Sequence, residues 1–192
     1  MKFLKMLGLA AVAAMALTAF TAGSASATTL EVGGVTQNKA VTIEASLASG
    51  TSAVLSRTDG SLANTCTTST VKGSTTVFTG TTVTGPISSL TFSNCTRPVT
   101  VHKAGTLHVA HIAGTTDGTV TSSGAEVTVG SPFGTLTCVT GTGVDIGRLT
   151  GKAAGSATMD INAVLNCGFL VPSAKWAGTY TITSPAGLGV SA

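Results

Sequence analysis

The chain has 192 residues, of which only 9 % are charged, with 10 Lys and Arg against 7 Asp and Glu. If the first 27 leave as a leader, 165 of the 192 remain, enough for one domain, and loss of Lys2 and Lys5 takes the net charge from +3 to +1. So weak a balance argues against nucleic acid and other polyanions as partners, and Val, Ile and Leu recurring throughout exclude a charged disordered tail.

Residues 1–27 read as a secretory signal peptide forming a leader helix. Lys2 and Lys5 give a positive start, Met6 to Phe20 is apolar, and Ala25-Ser26-Ala27 is a small-x-small site, so cleavage is expected between Ala27 and Thr28. An apolar stretch of 15 residues is shorter than the ~20 a spanning helix needs, so no stable membrane span is expected after cleavage. The first cysteine is Cys66, which leaves no lipid-anchor thiol beside the cleavage site. A secreted, periplasmic or extracellular location follows.

The 165 residues then hold 34 Thr, 17 Ser and 22 Gly. After an ambiguous stretch from Val41 to Leu55, β-branched alternating segments follow one another. They run Thr75–Thr84, Ser88–Asn94, Pro98–Val101, Thr106–Ala113, Gly118–Thr121, Ala125–Val129, Thr135–Thr140, Ala157–Leu165 and Trp176–Thr183. Ser122-Ser123-Gly124 reads as a hairpin connection. Thr favours the strand region because branching at Cβ restricts χ1, and its hydroxyl can face water beside an inward Val or Ile. The fold class is all-β: a disulfide-stapled antiparallel β-sandwich, with a small β-barrel as the alternative. A transmembrane barrel of about eight strands would need aromatic girdles, and the secreted part has one Trp, one Tyr and four Phe.

Cys66, Cys95, Cys138 and Cys167 are spaced by 29, 43 and 29, with no CxxC. In an oxidising compartment four such cysteines predict two disulfides rather than a zinc site. The pattern CxTxT, 23 residues, NC occurs twice at an offset of 72, and Lys103-Ala104-Gly105-Thr106 has a counterpart in Lys175-Trp176-Ala177-Gly178-Thr179. This predicts pseudo-repeats over about 66–113 and 138–185 within a single domain, 28–192. A unit that once folded alone closed its own bridge, which pairs Cys66 with Cys95 and Cys138 with Cys167.

No catalytic, cofactor or metal site is expected. His108 and His111 are three apart, so on a strand they point to opposite faces, and His102 shares a face with His108 only if the strand runs through Gly105. GxSxG is missing, and Glu31, Glu44, Asp59, Asp117, Glu126, Asp145 and Asp160 are scattered. Asp59-Gly60 and Asp117-Gly118 read as turns, and GTGVDIG around Asp145 lacks the Lys-Ser/Thr of a phosphate loop. Asn94-Cys95-Thr96 is not assigned a glycan, because its middle residue is a disulfide cysteine. Trp176 and Tyr180, four apart on one strand face, form either a ligand face or a staple between sheets.

The Ala-rich leader, four cysteines in Thr/Gly-rich strands, the NC pairs ending at Cys95 and Cys167, and the segment KWAGTYTITSP resemble small secreted four-cysteine all-β proteins of bacteria. The short leader, Thr-rich strands and paired cysteines are also similar to the extracellular activators of alkane oxidation. That resemblance implies an accessory role at an oil or cell surface and carries over no catalytic residue. Chaperone-assembled pilins are of similar size, but this chain ends GLGVSA, without their alternating final strand. The expectation is therefore a secreted, non-enzymatic structural or surface-associated protein that self-associates through edge strands or contacts the cell surface. The alternative is a binding domain for an apolar ligand or a glycan, with a part in alkane uptake.

Overall fold

The structure, a computed structural model, describes residues 27–192 except Leu62, Phe133 and Leu170. The expected leader, apart from Ala27, lies outside the described residues. The first strands are β1 (Thr28–Val32), β2 (Val35–Thr36), β3 (Thr42–Leu47), β4 (Ala53–Arg57), β5 (Asn64–Ser74), β6 (Thr79–Gly80), β7 (Val83–Cys95) and β8 (Val99–Lys103). They are followed by β9 (Thr106–His111), β10 (Gly118–Ser123), β11 (Glu126–Ser131), β12 (Gly134–Val139), β13 (Val144–Thr150), β14 (Thr158–Leu165), β15 (Ala174–Ser184) and β16 (Leu188–Ser191).

Eight staves close into an antiparallel barrel in the order β3, β5, β7, β9, β10, β13, β14, β15, with β15 pairing back to β3. Each stave pairs with its neighbour along the chain, an up-and-down ring. β4 continues β3: both pair with β5 and β15, and Ala48–Ser52 bulges out between them, held by the Ala48 N–H donated to Thr179 O. Of the two arrangements weighed from the sequence, the barrel forms. Strand alternation is the same in both; closure comes from the last pairing, which removes the edges a sandwich leaves open.

Alternation places the core inside the ring. On β14, Met159, Ile161, Ala163 and Leu165 are buried, while Asp160, Asn162 and Val164 face out. The outer wall is rich in hydroxyls, as where Thr70 Oγ1 meets Thr91 Oγ1 at 2.7 Å across β5 and β7. A lipid-facing barrel has apolar residues outside and a polar interior, the reverse of this one.

Both ends are covered. At one, β1 pairs with β16 and buries Leu30, Leu188 and Val190. At the other, three strands leave the wall and form a separate sheet, β12–β11–β8. The register shows its origin: Thr106 pairs with Ser123 in the barrel and Lys103 with Glu126 beyond it, so β8–β9 and β10–β11 are two long strands bent at Gly105 and Gly124. Both glycines have positive φ, 81° and 70°, and a Cβ at Gly105 would lie 2.7 Å from Ser123 O. The expected hairpin at Ser122-Ser123-Gly124 is therefore a bend: the glycine turns the chain without reversing it, and Thr140 ties the corner by accepting the Ala125 N–H at 2.8 Å.

Other boundaries moved too. Thr75–Thr84, expected as a strand, is mostly the connection between β5 and β7, because the chain must return there to keep the ring antiparallel; β6 and the first two residues of β7, Val83 and Thr84, are its strand parts. The ambiguous Val41–Leu55 stretch supplies β3 and β4, and β1, β5, β13 and β16 carried no clear sequence signal.

The disulfides are Cys66–Cys95 and Cys138–Cys167, each with Cα atoms 3.9 Å apart. The first joins directly opposed positions of β5 and β7. The second fastens β12 to the chain just past β14, beside the Val139–Asn166 bridge.

Candidate functional site

Three apolar voids follow one another inside the barrel. The largest, about 90 Å³, lies at the end covered by β1 and β16, between Ala45, Val83, Val120, Leu149 and Leu188. A void of about 30 Å³ occupies the middle, bordered by Ile146, Ile161 and Tyr180. The third, about 50 Å³, lies under the β8–β11–β12 sheet, between Leu55, Leu90, Leu165, Val127 and Val129. Neighbouring voids share walls: Met159 and Leu107 border the first and second, Leu90 and Trp176 the second and third. Met159 is unbranched and flexible, a side chain able to move aside at a constriction.

Trp176 and Tyr180 do share a face of β15, and that face is the lumen. Tyr180 is fully buried, and its hydroxyl donates to Ser69 Oγ at 2.9 Å, while Ser69 Oγ donates to Thr91 O at 2.7 Å. Burial pushes the phenol up to about 12, against a smaller downward pull from the Ser69 hydrogen bond. Trp176 is half-buried nearer the lid, with Phe92 edge-on at 6.0 Å between centroids. Among the described residues no charged side chain borders any of the three voids. The buried hydroxyl of Ser122 beside the middle void is among the few polar groups within reach of a guest.

The histidines stand apart from this lumen. His108 Nδ1 is 3.0 Å from Thr84 Oγ1 and its Nε2 3.5 Å from Ser123 Oγ, His111 Nε2 donates to Thr115 O at 2.8 Å, and His102 Nε2 is 3.1 Å from Thr128 Oγ1 on the outer sheet. Among the described residues no three His, Cys, Asp or Glu side chains gather as metal ligands would. Asp59 accepts the Ser61 hydroxyl and N–H in a turn, which holds its carboxyl below the usual range. Asp117 pairs with Arg148 at 2.6 Å, and Asp145 accepts the Gly147 N–H. Asn94 Nδ2 donates to Thr68 Oγ1. Glu126 sits below its usual range because Lys103 Nζ donates to it at 2.8 Å and adds its positive charge.

Leu90, Val120, Met159 and Ser69 border or brace the lumen and were not singled out by sequence. Their one signal is alternate spacing, which marks one face of a strand without saying that it lines a cavity. Fold and lumen together define an up-and-down antiparallel β-barrel with an apolar, covered interior. The chain matches no protein-family model, no curated protein and no solved structure.

Proposed function

We propose that this is an exported, non-enzymatic β-barrel that holds a small apolar molecule in its lumen. The observation that carries the reading is the run of three apolar voids along one axis. A dry apolar cavity of about 150 Å³ is enough to take up benzene; the first void, about 90 Å³, falls short of that alone, and displacement of Met159 toward the second would enlarge it. Typical ligand sites are larger, about 300 Å³ or more, so the guest is small or thin. A glycan is disfavoured, since its hydroxyls would be buried against Leu, Val and Ile.

Export is supported by two disulfides, which persist in oxidising compartments, and among the described residues no helix is long and apolar enough to cross a membrane. Self-association through edges is the weaker reading, because ring closure pairs every stave on both sides along part of its length. The same proposal takes the two cysteine segments as copies of one unit: both bridges span 29 residues, Cys66–Cys95 between β5 and β7 and Cys138–Cys167 between β12 and the chain just past β14.

Titration with hexane, 1-hexanol and toluene, followed by Trp176 fluorescence and calorimetry, tests the reading. Saturable binding with negative heat-capacity change is expected, with no response to glucose. No response up to the solubility limit of all three apolar probes, or growth of the particle with concentration instead, defeats it.

A further inference from the structure

The lumen reading leaves open how a guest enters a barrel covered at both ends, and the walls answer it. The β7–β9 ladder stops at Pro86–Thr106, and one more bond follows, from Ile87 N–H to Gly105 O. Proline offers no N–H, and from Gly105 the chain turns away into β8. Beyond that point no ladder joins β7 to β8 among the described residues. At the other end the two strands are joined by the short connection Thr96–Pro98, which is tied to β5: Asn64 Oδ1 accepts the Arg97 N–H at 2.8 Å, and the Thr96 N–H donates to Thr65 O. A seam between Ser88–Cys95 and Val99–Lys103 is thus closed at its two ends and unpaired along its length.

Apolar side chains stand behind this seam. Val127 is opposite both Val101 and Cys138, and Val129 opposite both Val99 and Leu136, so these six residues share the underside of the outer sheet. Val127, Val129 and Cys138 line the void under that sheet together with Leu90 and Trp176. The far edge of the sheet is fixed, with β12 bonded through Cys138–Cys167 and the Val139 N–H donated to Asn166 O. The β12 side of the sheet is thus fastened covalently and by a hydrogen bond, whereas the β8 side has no ladder to β7 among the described residues.

The geometry points to the β7–β8 seam as the lateral entrance to the lumen, admitting a single apolar chain with an uncharged hydrogen-bonding head. This rests on the lumen reading. The chain passes Phe92 and Leu90 into the voids, while the head stays among the seam's own backbone N–H and C=O groups, half of which an unpaired edge leaves free. Among the described residues no charged side chain borders the voids, and Lys103 is already paired with Glu126, so a carboxylate head gains no free lysine or arginine from β8 or from the lumen.

The test uses the oxidised full domain and varies Val101, with the 64 % exposed Val35 at the opposite end as control. Val101→Phe is expected to slow 1-hexanol association and lower acrylamide quenching of Trp176 at least threefold. Val101→Ala, a mild shortening that keeps the test alive if the larger residue disturbs folding, raises both. Val35→Phe changes neither, and 1-hexanol binds at least fivefold more tightly than hexanoate at pH 8. Unchanged rates and quenching in both Val101 variants, slowing by Val35→Phe, or tighter hexanoate binding overturns the entrance or its ligand class. If no apolar probe binds the parent protein, the lumen reading fails, and acrylamide quenching still decides whether the seam is the route to Trp176.

Discussion

Tyr180 is where burial and hydrogen bonding are most tightly coupled. Its ring is fully buried beside the middle void, and its hydroxyl begins a chain through Ser69 to the Thr91 carbonyl. The unfolded phenol ionises near pH 10, whereas the buried one waits until about 12. Between those values the unfolded state has lost a proton that the folded state keeps, so stability falls as pH rises, by about 2–3 kcal/mol in all, and is unaffected below pH ~9. Urea unfolding at pH 8 and pH 11 checks this; Tyr180→Phe is expected to cost about 1 kcal/mol at pH 8 and to remove most of the alkaline loss. A pH response unchanged by the substitution would assign the effect to another group. The pairing of Trp176 and Tyr180 on one face was legible from their spacing of four. That the face looks inward, onto voids and away from solvent, was not, because both faces of an isolated strand are equivalent until a sheet curls.

At the scale of the element, the two disulfides have equal loops and different duties. Cys66–Cys95 joins opposed positions of neighbouring staves, whereas Cys138–Cys167 holds down the sheet that covers the lumen. Closing a loop of about 30 residues restricts the unfolded chain by about 3.5 kcal/mol in the chain-entropy model. Cys66→Ala/Cys95→Ala is therefore expected to lower the unfolding free energy by up to about 3.5 kcal/mol, measured by denaturant unfolding of the oxidised parent and variant. A loss well under 1 kcal/mol would mean that the ladder already constrains the denatured chain. The partners themselves were readable from spacing. The bends at Gly105 and Gly124 were not, since a glycine between two alternating runs serves a hairpin or a bend equally well, and only pairing with third strands distinguishes them.

For the whole molecule, the lumen is incompletely filled, which sets folding and binding against each other. Ala45, 5 % exposed, borders the largest void, and Ala45→Leu places added methyl groups into it. If they fit, apolar burial raises stability by about 1 kcal/mol or more while the guest loses its place. The expected outcome is a higher Tm together with at least tenfold weaker binding of hexane, read by thermal unfolding and Trp176 titration. Unimpaired binding in a well-folded variant would locate the guest elsewhere. The hydroxyl-rich outer wall also gives the barrel a water-compatible exterior, so aqueous purification without detergent is the consistent behaviour.

Sequence alone determined the all-β class, the four-cysteine framework and its pairing, and the segregation of Thr and Ser from Val, Ile and Leu. These are properties of local period and spacing, which act within one strand or between two fixed points on the chain. Tertiary structure decided that the sheet closes, that a three-stranded sheet built on two bent strands covers one end, and that a lumen and a seam result. Closure depends on the last stave meeting the first, about 140 residues apart, and cavities are what remains after every side chain has been placed. Neither quantity is written in any local pattern.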